Sequence, residues 1–435
     1  MSILHPEDVV QESWFILVLT GFLGLRPVRV LGTPWPGYLY MLLLIALYFC
    51  FFFGIKNTAA PDFERLSKVT SVTIHRLRQN YANLLLMPLM ICSSIRCGRK
   101  ASEAYLALSE VDKSLQFVNL YFRYTRNMRR EVVHACAVVF LTTFFGVLES
   151  SRLVDEQTTS AFEAACVFNQ LPEVLNGVSM CSFVIFLSKV RLRLLAINGS
   201  LEPLMDAVED AAVTPSTAIN DGNDRTRYNV HPWDFDRGPH KIIPLAFRLR
   251  SLRQNHRKLC RIALLVGDAY GFQILVNFIV YFGNACAHLN LLYTKFNVEN
   301  NLVDTLGDLF SICFYIGKFV YVIRACQAVE AQAKVSREMW EVWNDPDKRT
   351  FQGEMRAISW QLFLKDFRFT ACNCCYVDCR LLKTVNKRRR RLDRLLRFNG
   401  LHNSLALTEQ FVKRHSPQNK RNEHRAALTA PLLPA

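Results

Sequence analysis

Gly37-Tyr-Leu-Tyr-Met-Leu-Leu-Leu-Ile-Ala-Leu-Tyr-Phe-Cys-Phe-Phe-Phe-Gly-Ile55 carries no charged residue. As a helix rising about 1.5 Å per residue it reaches the thickness of a bilayer's hydrocarbon core, about 30 Å. Pro34 and Pro36 mark its entry, and Tyr38 and Tyr40 suit a membrane–water interface. A run of this kind reads as a membrane span.

Five further apolar stretches follow it. They are Tyr81–Ile95, whose helix is expected to begin near Arg78, then Val132–Leu148, Leu171–Val190, Phe272–Leu292 and Leu306–Ile323. Ahead of the first span, residues 13–31 form a shorter apolar run broken by Gly21, Gly24 and Pro27. That run falls short of the ~20 residues a span requires, so an interfacial or cytoplasmic segment is expected there. The predicted fold is all-α: a multi-pass membrane helical bundle of about six spans.

Loop charge orients the bundle. The segment after the second span holds Arg96, Arg99, Lys100, Lys113, Arg123, Arg126, Arg129 and Arg130. The one after the fourth holds Arg248, Arg250, Arg253, Arg257, Lys258 and Arg261. The segment after the third span carries Glu149, Asp155, Glu156 and Glu163 against Arg152, and the one after the fifth sets Lys295 against Glu299 and Asp304. Basic loops face the cytoplasm, which places the N-terminus inside as well. The loop after the first span, with Lys56, Arg65, Lys68 and Arg76, fits this alternation least well. Ala104–Leu120 and Arg248–Leu265 have apolar residues at helical spacing, so the spans are expected to continue as helices below the membrane.

Six segments follow from this division. Residues 1–36 are a cytoplasmic N-terminal segment, and 37–190 hold spans one to four. Residues 191–271 are a cytoplasmic loop whose turn-rich, polar part, 208–240, is expected to be a disordered insertion. Spans five and six occupy 272–323, a cytoplasmic helical region occupies 324–385, and 386–435 are a basic tail. The net charge of +16 fits basic cytoplasmic loops better than nucleic-acid binding. Fourteen Cys without regular spacing give no disulfide framework. Acidic residues ahead of the first apolar run argue against a cleavable signal peptide.

Catalytic signatures are absent: there is no phosphate-binding loop, no dinucleotide fingerprint, no Gly-x-Ser-x-Gly and no His-Glu-x-x-His. Glu131 and His134 stand three apart at a span boundary, which needs no metal to explain it. Cys372, Cys374, Cys375 and Cys379 lack the second knuckle of a zinc site and read as small buried hydrophobes. No cofactor and no metal is expected. Lys318 is the ionisable residue deepest in a span; it either faces the bundle interior or snorkels to the cytoplasmic interface. Asp308 is expected at the extracellular mouth, where it could attract cations. Asn198-Gly-Ser200 is a formal glycosylation sequon, expected to stay unused because it lies on the cytoplasmic side. Lys387–Arg391 suits a stop-transfer signal or a contact with anionic lipid.

Phe369-Thr370-Ala371-Cys372, followed by Asp378, Leu381-Leu382 and Val385, resembles the C-terminal motif of the insect gustatory receptors. Further stretches are similar to that family in the same order. They are Phe183-x-x-Phe186-Leu187 with Arg193-Leu-Leu-Ala-Ile-Asn198, His256-x-x-Leu259 with Gly271-Phe-Gln-Ile-Leu275, Phe282 to Tyr293, and Cys326-x-x-x-Glu330. One departure stands out: Asn373-Cys374-Cys375 replaces the family's Gly-Phe-Phe.

The resemblance implies a plasma-membrane, tastant-gated, nonselective cation channel, assembled as a homo- or hetero-tetramer. It implies an outward-opening ligand cavity within spans one to six and a seventh helix lining the pore. Polar positions on the outer halves of spans are the ligand-pocket candidates: Tyr281, Asn284, His288 and Tyr293. After Val385, however, no apolar run is long enough to cross a bilayer, and the family's Thr-Tyr…Gln-Phe signature is missing. The tail from Asn386 is expected to be sequence read past a splice junction or a truncated variant, and this form is expected not to conduct alone. A G-protein-coupled receptor would need an extracellular N-terminus and an Asp-Arg-Tyr after span three. A secondary transporter would show two related halves with broken helices. Neither pattern is present.

Overall fold

The computed structural model describes residues 6–27, 33, 35–58, 70–151, 160, 168, 170–213, 245–298, 302–342, 369–371 and 375–376. Within them the chain is a bundle of α-helices: α1 (Val9–Glu12), α2 (Trp14–Phe22), α3 (Trp35–Thr58), α4 (Thr70–Phe117), α5 (Tyr124–Ser151), α6 (Leu171–Val213), α7 (Leu245–Val298) and α8 (Leu302–Val342). The strands β1 (Thr370–Ala371) and β2 (Cys375–Tyr376) add a small antiparallel pair with Thr370 opposite Tyr376. Residues 378–435 form a unit of their own. Asp378, Leu381, Leu382 and the tail 386–435 lie outside the described residues, as do Cys372, Cys374 and Cys379.

Among the described residues, four helical stretches are long and apolar enough to cross a membrane: Trp35–Gly54, Tyr124–Ser151, Phe247–Tyr293 and Thr305–Val335. Their outer faces show large apolar side chains, such as Leu39, Leu43 and Phe51 on α3 and Val133, Phe140 and Phe144 on α5. The expected second and fourth spans, within α4 and α6, are not among these four. The contiguous apolar run of α4 is only Leu85–Ile95. Helix α6 is interior: between 171 and 190 only Ser188 is exposed. Neighbouring helices, not lipid, surround α6, so it can carry Glu173, Asn176, Ser179, Ser182 and Lys189 as buried residues.

Two boundaries and the placement of one segment differ from the sequence reading. Helix α4 starts at Thr70, not near Arg78, and continues without a break to Phe117. It ends because Asn119 takes a left-handed conformation (φ 66°) and the amides of Val118, Asn119 and Leu120 fold back onto Leu115 and Gln116 carbonyls. Helix α6 runs to Val213, so residues 208–213 of the expected disordered insertion are helical; 214–240 lie outside the described residues. The segment expected to be interfacial or cytoplasmic packs into the bundle through α2. Ile16 of α2 joins Met41 and Tyr48 of α3, Met90 and Ile91 of α4, Ala135 of α5 and Cys181 and Ile185 of α6 in one apolar core.

An ion cluster explains why α1 is held inside. Lys189 and Arg193 sit on adjacent turns of α6, and both are buried. Arg193 donates to Asp112 of α4 through Nε (3.0 Å) and Nη2 (2.8 Å), the bidentate geometry of the strongest charge-assisted pairs. Tyr124 of α5 donates to the same carboxylate at 2.8 Å. Glu12 of α1 lies 3.0 Å from Lys189 Nζ and 3.6 Å from Arg193 Nη2, while Glu131 of α5 also pairs with Lys189. Burial alone would lower the pKa of the Arg193 guanidinium, but Asp112 and then Glu12 hold it above its ordinary value.

Removing one member leaves the others buried without compensation. Arg193→Met is expected to lower stability by about 3–5 kcal/mol, whereas the double change Arg193→Met with Asp112→Asn recovers much of the loss. Thermal melting of the purified protein checks this; additive losses in the double variant would contradict it.

Candidate functional site

At the opposite end from the ion cluster, α5, α6, α7 and α8 bring a second set of polar groups together. Spacing on α7 puts Tyr281, Asn284 and His288 on one inward face, and all three are buried. On α8, Asp308, Ser311, Tyr315 and Lys318 recur at helical spacing and meet that face. His288 Nδ1 lies 3.4 Å from Asp308 Oδ1, and its ring stacks on Tyr315 with centroids 5.9 Å apart. Ser311 donates to Glu149 of α5. Tyr281 donates to Met180 Sδ at 3.1 Å.

Lys318 settles between its two expected positions. It does not snorkel: Nζ donates to Glu173 Oε2 of α6 at 2.9 Å. The ammonium lies 4.5 Å from the Phe314 ring centroid and 5.0 Å from that of Tyr281. A carboxylate and two aromatic faces therefore replace its hydration shell. Asp308 is buried against His288, not open at a mouth.

Three of the four ligand-pocket candidates thus share one buried seam. Tyr293 does not join it; at 71% exposure it stands at the rim. Glu173, Glu149 and Tyr315 belong to the seam and were not singled out from the sequence. Glu149 reads there as a loop acid, but α5 extends to Ser151 and carries it inward. Chemically the seam offers carboxylates, an ammonium, an imidazole and phenols on four helices. Among the described residues no group of three His, Cys, Asp or Glu is placed to hold a metal.

Two residues that drew no metal assignment are used structurally. Glu131 belongs to the ion cluster, and His134 Nε2 lies 2.7 Å from the Tyr321 hydroxyl. Asn198 of the sequon is buried and donates through Nδ2 to the Gln332 carbonyl at 3.0 Å, so its amide is occupied by α8.

The start of the C-terminal motif is also anchored. Phe369 is buried against Gly267 of α7, where an added Cβ would lie 3.0 Å from the phenyl ring. Its backbone N–H donates to Glu330 Oε1 of α8 at 2.9 Å. Thr370 and Ala371 then form β1 and fold back on β2, so the motif opens as a hairpin and not as the first turn of a helix.

Breaking the seam's ion pair has a defined cost. Lys318→Met leaves Glu173 buried alone and is expected to destabilise by about 3–5 kcal/mol; pairing it with Glu173→Gln restores most of the loss. Thermal melting of the single and double variants in detergent decides this. A single variant as stable as wild type would show that the pair carries no such constraint.

A sequence profile described as 7tm chemosensory receptor matches residues 17–385. Among solved structures, the chain is similar to the insect olfactory receptor OR5 from Machilis hrabei, with a TM-score of 0.57 and 14% sequence identity. That match covers 88% of this chain and 97% of the receptor. At this identity the likeness concerns the fold. Comparison with curated protein sequences gives no match.

Proposed function

This chain belongs to the 7tm chemosensory receptor family, and on that premise we propose that it is a gustatory receptor subunit of the plasma membrane, gating a nonselective cation channel in response to a tastant. The family is one of receptors and not of enzymes, and its members are multi-pass membrane proteins. The taste assignment rests on the likeness of Phe369–Cys372 and the ordered upstream stretches to insect gustatory receptors. The ligand site rests on one observation: Tyr281, Asn284 and His288 lie buried in a polar seam shared by α5, α6, α7 and α8. A seam of mutually bonded polar groups suits a small polar ligand, which must exchange hydrogen bonds with them one for one.

The subunit assembles with further copies or with related subunits into a tetramer, the arrangement the resemblance implies. Within these 435 residues nothing after Val385 is apolar for the ~20 residues of a span. Expressed by itself, this polypeptide is expected to give no tastant-evoked current. A current from it alone would refute that reading.

Ligand binding is tested in cells that co-express complete gustatory subunits. Asn284→Leu and His288→Leu each remove a buried polar partner. Each is expected to raise the half-maximal tastant concentration about tenfold or more with surface expression intact. Dose–response curves unchanged in both variants would place the ligand elsewhere.

A further inference from the structure

A cavity of about 20 Å³ lies between the chain just after α2 and helices α4, α6 and α7, apart from the seam. Its wall includes Arg26, Tyr105, Ser182, Tyr270 and Gln273. Close packing of backbone shapes one side: an added Cβ on Gly98 of α4 would sit 2.7 Å from Pro27 Cδ, so only glycine lets the Leu25–Pro27 segment lie on this helix.

The charges around it do not balance. Arg26 donates through Nη2 to Ser102 Oγ at 2.8 Å, and its guanidinium lies 5.8 Å from the Tyr105 ring centroid. No carboxylate lines the cavity among the described residues. The acids on the neighbouring surface are engaged elsewhere: Asp268 with Lys100, and Glu103 with Arg99 at 3.5 Å. The ion cluster keeps its own carboxylates on Lys189 and Arg193. Arg26 is therefore a half-buried cation without an acidic partner among the described residues.

Unused donors surround the same space. The Tyr105 hydroxyl is buried beside the Ser13 hydroxyl, which itself donates to the Val9 carbonyl. Ser182 Oγ and the Tyr270 hydroxyl lie 3.1 Å apart, so one donates to the other and the second keeps a proton to give. Gln273 is already saturated: its oxygen accepts from Ser179 at 2.6 Å, and its amide donates to Ser93 and Ser94 at 3.0 Å each. What remains is a guanidinium and two hydroxyl donors around a space of atomic size.

We propose that this cavity is a binding site for a small monovalent inorganic anion, chloride or a close halide analogue, held by Arg26 with the hydroxyls of Tyr105 and of Tyr270 or Ser182. The reasons are complementary. A half-buried cation is stabilised by an anion that neutralises it, while a water molecule leaves its charge in place. The hydroxyls have protons to donate, and among the described residues no carboxylate lines the cavity itself. The volume admits a particle about the size of water, which excludes phosphate and carboxylate ligands of several heavy atoms. Because its contacts come from the chain after α2 and from α4, α6 and α7, the bound ion would tie the N-terminal segment to three helices.

The test is the melting temperature of the purified full chain in sodium chloride, sodium bromide and sodium gluconate at matched ionic strength. The wild type is expected to melt about 2–5 °C higher in either halide than in gluconate. Arg26→Gln should abolish the difference, and Arg99→Gln, at the exposed neighbouring ion pair, should keep it. Tyr105→Phe preserves the ring packing and removes one donor, so it should move the halide midpoint to higher concentration while leaving melting in gluconate unchanged. Equal wild-type melting in all three salts leaves the cavity to water and overturns the proposal. So does a wild-type-sized halide shift in Arg26→Gln or, should that variant not fold, an unchanged halide midpoint in Tyr105→Phe.

Discussion

Two cations on one interior helix set the terms for half of this bundle. Lys189 and Arg193 lie a turn apart on α6, and neither reaches water. Removing a charge from water is costly unless hydrogen-bonded counter-charges replace the solvent. Here Asp112 comes from α4, Glu131 from α5 and Glu12 from α1. No two of these carboxylates share an element, so the cluster is complete only when all three elements dock on α6 together. That requirement accounts for the burial of α1 and α2, whose short apolar run would otherwise have little reason to leave an interface. It also favours one register of the helices over a set of slipped ones, because a shift by one residue moves a carboxylate about 100° around its helix and away from its partner.

The seam at the other end is built from the same kinds of groups with less redundancy. Arg193 is held by two hydrogen bonds to one carboxylate with a second acid nearby, whereas Lys318 meets the Glu173 carboxylate and two aromatic faces. The His288–Asp308 contact is long, at 3.4 Å. A bidentate pair backed by a third charge fixes the relative position of its helices more closely than a long imidazole–carboxylate contact does. The bundle thus carries its most closely fixed polar contacts at the end where α1 docks.

Legibility followed what each residue faces. Helices α3, α5, α7 and α8 show apolar side chains on their outer faces, and their runs could be read from composition. Helix α6 is wrapped by protein, so its hydropathy is diluted by residues such as Asn176, Ser179 and Lys189 whose cost is met by other helices. The inward placing of Tyr281, Asn284 and His288 was accessible because four-residue and seven-residue spacings keep side chains on one face. Tyr293 lies on the same helix but five residues past His288, about 140° around it, so it faces away from the seam while Leu291 is still buried. Lys318 could be recognised as anomalous, yet its depth depended on Glu173, 145 positions earlier. No local pattern encodes a partner at that separation. The hairpin at Thr370–Tyr376 escaped for another reason: a short apolar stretch reads equally as strand or as helix entry until its neighbours are known.

The C-terminal motif gains a physical role from the helices it touches. Helices α7 and α8 meet through His288 and Asp308 at one end and clasp Phe369 between Gly267 and Glu330 at the other. His288 and Gly267 are about 31 Å apart along α7, and Asp308 and Glu330 about 33 Å apart along α8, at 1.5 Å per residue. Both are single unbroken helices over those lengths. The same two helices thus hold the polar seam at one end and the start of the C-terminal motif at the other, where Gly267 leaves no slack against the Phe369 ring.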